Sequence, residues 1–222
     1  MKRTYFHSLP LRIWHWINAF IIIMLIVTGL YLRLQGMAAL KPHDPFLLWH
    51  KRMGFAMIVV AIFWFIYNLS KENTRRHYRI RKRHLKGIFP QIEYYLISIF
   101  AGAENPHKAS VDDKYNPLQK IAYNAIMFIF LPVQAFTGIL FMSFPVSLSG
   151  NVIGLLGAIH VIFAYLLVLY LIVHLYMATL GDTVFSHTKA MIVGYKEESH
   201  ENKEDKNSSI PVKISPEKNE LP

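Results

Sequence analysis

Four stretches of the chain are apolar for about twenty residues or more, near 13–32, 47–69, 120–143 and 152–180. A helix rises about 1.5 Å per residue, so roughly 20 apolar residues cross the hydrocarbon core of a bilayer. The pattern predicts an all-α membrane protein, a bundle of four transmembrane helices. None of the four stretches contains Asp or Glu, and their basic residues, Lys51, Arg52 and Lys120, lie near span ends. Pro132 interrupts the third span and is expected to kink it, with neighbouring helices taking up the freed carbonyl. Between spans two and three, "IFPQIEYYLISIF" is apolar but too short to cross, and reads as an interfacial helix on the cytoplasmic face. Residues 196–222 interleave Lys, Glu, Asn, Ser and Pro and read as a disordered cytoplasmic tail, leaving 1–195 as the membrane domain.

The first span invites comparison with a secretory signal, because "MKRTYFHSLPLR" is basic and "GMAA" is small. Its apolar run is longer than the roughly 7–15 residues of such signals and contains Trp-His-Trp, so it is read as a permanent helix.

Composition agrees: 53% of the residues are hydrophobic and the mean hydropathy is +0.27. A net charge of +10 could suit a nucleic-acid partner, but the basic runs lie between apolar spans, which favours a membrane and no nucleic acid. "KENTRRHYRIRKRHLK" holds eight Lys or Arg against one Glu, and the N-terminus adds Lys2, Arg3 and Arg12. The 33–46 loop has only Arg33 and Lys41, and "SFPVSLSGN" has no charge. Positive-inside reasoning places both termini and the 70–118 connection in the cytoplasm, for a multi-pass protein of the cytoplasmic (inner) membrane. Cysteine is absent, which excludes disulfides, cysteine-ligated iron–sulfur clusters and thioether-attached haem.

The candidate chemistry lies in histidine. Of eleven, His7, His43, His77, His84, His107, His187 and His200 fall in loops, tails or span edges and read as solvated surface. His15, His50, His160 and His174 fall within the spans. Given the alternation of span direction, His15 and His174 lie at the inner level and His50 and His160 at the outer one. "HVIFAYLLVLYLIVH" puts His160 and His174 fourteen residues apart, about 21 Å along a helix and within about 40° of one direction. Both face one interior, an arrangement that suits two stacked haems, each iron held by two neutral imidazoles. Gly29 and Gly138, each after a threonine, and Gly54 and Ala164, one turn after a histidine, would admit a flat macrocycle or close helix packing. Trp14, Trp16 and Trp49 read as interfacial anchors, and Met24, Met57, Met127 and Met142 as packing residues.

The landmarks "PLRIWHWINA", "LLWHKRMG", "KYNPLQK", "IH" followed thirteen residues later by "HLYMAT", and "KAMIVGY" occur in this order over residues 8–196. On them the chain resembles the cytochrome b561-like family of b-type cytochrome subunits. These are the membrane subunits of formate dehydrogenases and nickel–iron hydrogenases, with thiosulfate reductase cytochromes b as relatives. The resemblance implies two non-covalent b-type haems, held by His15 with His174 at the inner level and His50 with His160 at the outer. It further implies electron transfer between an extracytoplasmic iron–sulfur or multihaem oxidoreductase subunit and a quinone, menaquinone or ubiquinone. The quinone would sit beside the inner haem, near Asn116 and His174. Formate dehydrogenase relatives carry "KYNAGQK", with glycine where this chain has Leu118, so the quinone pocket is expected to differ in shape there. No substrate-specific catalytic centre is expected in the chain itself.

Two rivals use the same residues differently. A transporter could bind a metal ion or relay protons through intramembrane histidines, but the spans offer no carboxylate and the histidines form two levels rather than one. A purely structural anchor leaves four buried imidazoles unexplained. Parent substrate, direction of electron flow and oligomeric state are not encoded in the pattern.

Overall fold

The computed structural model describes residues 3–36, 41, 43–70, 79–107, 115–143, 149–181 and 183–197. A short strand, β1 (Arg3–Tyr5), precedes the first long helix, α1 (Leu9–Gln35), which starts after Ser8 with a proline in its first turn. The second, α2 (Pro45–Ser70), starts at Asp44, whose carboxylate accepts from the Phe46 and Leu47 N–H groups at 2.9 and 3.1 Å. Two short helices follow, α3 (Lys82–Lys86) and α4 (Ile88–Leu96), and then a 3₁₀ turn at Ser98–Ala101. The third span, α5 (Pro117–Ser143), is capped by Asn116. The chain continues through α6 (Gly150–Thr179) and α7 (Ser186–Val193) to β2 (Tyr195–Glu197). Helices α1, α5, α6 and the Pro45–Tyr67 part of α2 are long and apolar enough to cross a membrane.

All four expected spans are present, and each begins two to four residues earlier than hydropathy alone sets it. Capping explains two of these extensions: Asp44 and Asn116 satisfy N–H groups that a helix start otherwise leaves without partners. The interruption at Pro132 takes the form of a π turn at Ile126–Phe130, directly before the proline. Proline has no N–H to donate to the carbonyl four residues back, and widening the preceding turn accommodates that loss. Asp182 and residues 198–222, with most of the expected tail, lie outside the described residues, whereas Lys196 and Glu197 belong to β2.

The core is small and central. Ile21 of α1, Met57 and Trp64 of α2, and Ile126, Met127 and Leu131 of α5 are buried together. Trp14 packs against this core, 6.0 Å from Trp64 ring to ring, so it faces the bundle rather than serving as an interfacial anchor. Trp16 and Trp49 are exposed. Elsewhere large apolar side chains point outward along all four spans, Phe20, Phe63, Phe136 and Ile172 among them, as suits a lipid-facing surface.

Packing is uneven. α1 lies chiefly on α2, and α5 on both α2 and α6. α6 has no buried residue and stands apart from α1 and α2. At one end of the bundle β1 pairs antiparallel with β2, Tyr5 opposite Tyr195, so the two ends of the described chain lie on one side. The Phe6 and His7 N–H groups donate to the Gly194 carbonyl, and the Arg12 guanidinium donates to the Ile192 carbonyl. Gly194 has φ 89°, where L side chains are strained, and a Cβ there would approach the His7 carbonyl to 3.0 Å.

Candidate functional site

The space between α6 and the α1–α2 pair is bridged by imidazoles. His15 of α1 lies beside His174 of α6, ring centres 6.0 Å apart, and His50 of α2 lies beside His160 of α6 at 6.3 Å. All four rings are half-buried. Two metal–imidazole bonds of about 2 Å, each continued about 1 Å to the ring centre, would separate the centres by about 6 Å. Both pairs match that spacing. Gly54, one turn after His50, opens onto empty space, since a Cβ there would meet nothing within 4 Å. Asn18 Nδ2, three residues beyond His15, is buried with no hydrogen-bond partner among the described residues. Separation of α6, matching ring distances and an unpartnered buried donor fit a flat group held between each pair. The chain's own donor set, neutral nitrogen with no cysteine, is that of non-covalent haem.

The Thr-Gly dipeptides do more than admit the rings. Thr28 Oγ1 donates to the Met24 carbonyl at 2.6 Å and lies 2.9 Å from His50 Nδ1. Thr137 Oγ1 donates to the Val133 carbonyl at 2.8 Å and lies 2.7 Å from His160 Nδ1. A hydroxyl has one proton; directed to the carbonyl, it leaves the oxygen to accept from the ring. Nδ1 of both histidines therefore carries the proton, which leaves Nε2 as the lone-pair nitrogen of each ring. The following glycines press close: a Cβ on Gly29 would lie 3.3 Å from His50 Cε1, and one on Gly138 3.8 Å from His160 Cε1. The sequence pattern shows each threonine beside its glycine but gives the hydroxyls no role.

At the other level a line of aromatic rings leads away from the histidines. Tyr170 stacks on His174 at 5.6 Å, Tyr123 lies 6.5 Å from Tyr170, and Tyr115 lies 5.1 Å from Tyr123. The line ends at the start of α5, beside Asn116. Asn116 is buried and engaged: its Oδ1 accepts from the Gln119 N–H at 2.8 Å, and its Nδ2 donates to the Tyr95 hydroxyl at 2.9 Å. Burial pushes the Tyr95 phenol above its ordinary pKa, and hydrogen bonds with Asn105, Asn116 and Gln91 only partly offset that. Tyr176, two residues after His174, donates to the Tyr95 carbonyl at 3.0 Å and ties α6 to α4. Leu118 is half-buried in the first turn of α5.

One expectation about a buried polar residue needs correction. His84 is not solvated surface: it is 4% exposed, its Nδ1 accepts from the Arg81 N–H at 2.9 Å, and its Nε2 lies 3.2 Å from Lys120 Nζ. Lys120, near the start of its span as expected, is only 3% exposed and lies folded under α3. Both sit where α3 and α4 cover the start of α5, a tertiary contact that local hydropathy does not encode. His7 and His107 are half-buried, His43 and His187 are exposed, and His77 and His200 lie outside the described residues. Arg33, Lys41, Lys51 and Arg52 are exposed.

The family model for prokaryotic cytochrome b561 matches residues 6–194. The chain belongs to the prokaryotic cytochrome b561 family. It is also 30% identical over 200 residues to a protein of Escherichia coli strain K12 named as cytochrome YdhU, covering 87% of this chain and 75% of that one. A Cupriavidus necator protein named as a Ni/Fe-hydrogenase B-type cytochrome subunit is 25% identical over 225 residues, covering 88% of each. As a cytochrome b561 the chain is a multi-pass membrane protein of electron transport that carries b-type haem. The family match runs from just after β1 to the glycine before β2, and so includes every span and all four interior histidines.

Proposed function

We propose that this cytochrome b561 is a dihaem electron conduit between an extracytoplasmic oxidoreductase subunit and the quinone pool. The observation that carries the reading is the presence of two separate imidazole pairs, 6.0 and 6.3 Å across. They share α6 and are offset along it by the fourteen residues between His160 and His174, about 21 Å. His15 with His174 and His50 with His160 are the axial ligand sets. Haem supplies reversible one-electron chemistry when bound; the chain's residues would hold it at two depths. Among the described residues no three histidines or carboxylates come together, which weighs against an ion-binding transporter site.

The basic connection before α5 puts the His15/His174 level on the cytoplasmic side, with α4 along that surface, its Phe89 and Leu96 turned outward. A quinone beside His174 would lie next to the tyrosine line and the Asn116–Tyr95 pair, with its protons drawn from the cytoplasm. The opposite face, with short loops and exposed Arg33, Lys51 and Arg52, is where a partner subunit docks; the relative named as a hydrogenase cytochrome subunit supports a partner of that class.

Haem content tests the reading. Protein purified from haem-replete cells should show a Soret band, a low-spin b-type α-band on reduction, and two haems per chain. One haem per chain, or a colourless preparation, refutes it.

A further inference from the structure

We propose that Thr28 and Thr137 are positioning residues that make the His50/His160 level the more reducing of the two, so that electrons run downhill toward His15 and His174. The inference rests on the reading of the two imidazole pairs as haem ligand sets.

The two levels are held differently. At the His50/His160 level each ring delivers its Nδ1–H to a threonine oxygen, at 2.9 and 2.7 Å, and each threonine is fixed by its own bond to a helix carbonyl. Both threonines are 2% exposed, so water does not compete for these bonds. The two units come from different helices, Thr28 and Gly29 from α1 and Thr137 and Gly138 from α5, yet repeat one arrangement: hydroxyl on Nδ1, glycine beneath the ring edge. At the other level the ring nitrogens of His15 and His174 have no hydrogen-bond partner among the described residues. Those rings are set by packing instead, His174 against Tyr170 and His15 against Trp16.

A hydrogen bond accepted from Nδ1–H shifts electron density toward Nε2 and makes the imidazole a stronger donor to its metal. In a buried, low-dielectric setting that bond and the hydroxyl–carbonyl bond behind it reinforce each other. Stronger donation from both axial positions favours the ferric over the ferrous state and so lowers the reduction potential. Among the described residues only one of the two levels has this support. The consequence is directional: an electron arriving at the His50/His160 level finds the more oxidising acceptor at the His15/His174 level.

The test is a redox titration of the purified protein, followed in the α-band, with haem per chain measured on the same samples. Thr28→Val and Thr137→Val keep the side-chain shape and remove the acceptor, whereas Thr28→Ser and Thr137→Ser keep it. Each Val variant should move the lower-potential component several-fold toward the ferrous state and leave the other in place. A tenfold change would read as 59 mV for a one-electron couple. The Ser variants should titrate as the unaltered protein, and His50→Ala should delete the lower-potential component. Two haems with unmoved potentials in both Val variants overturns the proposal, as does deletion of the higher-potential component by His50→Ala. Loss of haem from both Val variants, with retention in both Ser variants, would leave the hydroxyls as holders only and overturn it too. Fewer than two haems in the unaltered protein would instead overturn the reading of the pairs.

Discussion

Gly29 and Gly138 occupy equivalent places after equivalent threonines, but the space above them differs. A methyl group on Gly29 would sit 3.3 Å from His50, closer than ordinary van der Waals contact, while one on Gly138 would sit at a comfortable 3.8 Å from His160. Gly29→Ala should therefore crowd the His50 ring and lower haem retention, while Gly138→Ala should retain both haems; pyridine haemochrome assays would show either. Equal retention in the two variants would contradict the geometry. Tyr95 offers a pH test. Its folded-state pKa is raised above the unfolded value near 10.0, so its contribution to stability is full below that value and is lost as pH rises through the folded pKa. Tyr95→Phe should thus flatten the loss of thermal stability above about pH 10; an unchanged alkaline slope would argue against it. At this scale the interior histidines were legible because a polar ring in an apolar run is conspicuous. The threonines were not, since a hydroxyl in a transmembrane helix can bond its own carbonyl four residues back, and nothing local tells whether it also meets a ring from another helix.

Helix starts combine structural and functional demands. Asn116 caps α5 through Oδ1 and holds Tyr95 through Nδ2, so one side chain has two separable duties. Asn116→Asp keeps an N-cap acceptor and removes the donor, whereas Asn116→Ala removes both, at about 1 kcal/mol for the cap. The Asp variant should retain both haems and a near-native melting temperature but reoxidise more slowly with a quinone analogue; the Ala variant should also melt earlier. Unchanged reoxidation in Asn116→Asp would place the quinone elsewhere. Element boundaries were partly readable: Asp44 before a proline and "NPLQ" are capping signals, yet hydropathy placed the starts at the first apolar residues. Pro132 announced an interruption, but not that a π turn would supply it. The burial of His84 and Lys120 was illegible because it depends on α3 folding back over α5.

For the whole molecule, four apolar runs on a chain without cysteine were enough to define the bundle, because a bilayer admits so few ways to satisfy a backbone. The unequal packing that sets α6 apart from α1 and α2 was not encoded locally; it follows from which side chains reach across. With the ends paired through β1 and β2, both described termini share a side of the bundle. The central claim is that each imidazole pair holds its own haem. Reduced-minus-oxidised spectra with haem counts for His15→Ala, His50→Ala, His160→Ala and His174→Ala test it most directly. His50 and His160 variants should lose one and the same spectral component, and His15 and His174 variants the other, from a starting count of two. Loss of the same component in the His15 and His160 variants would contradict the account.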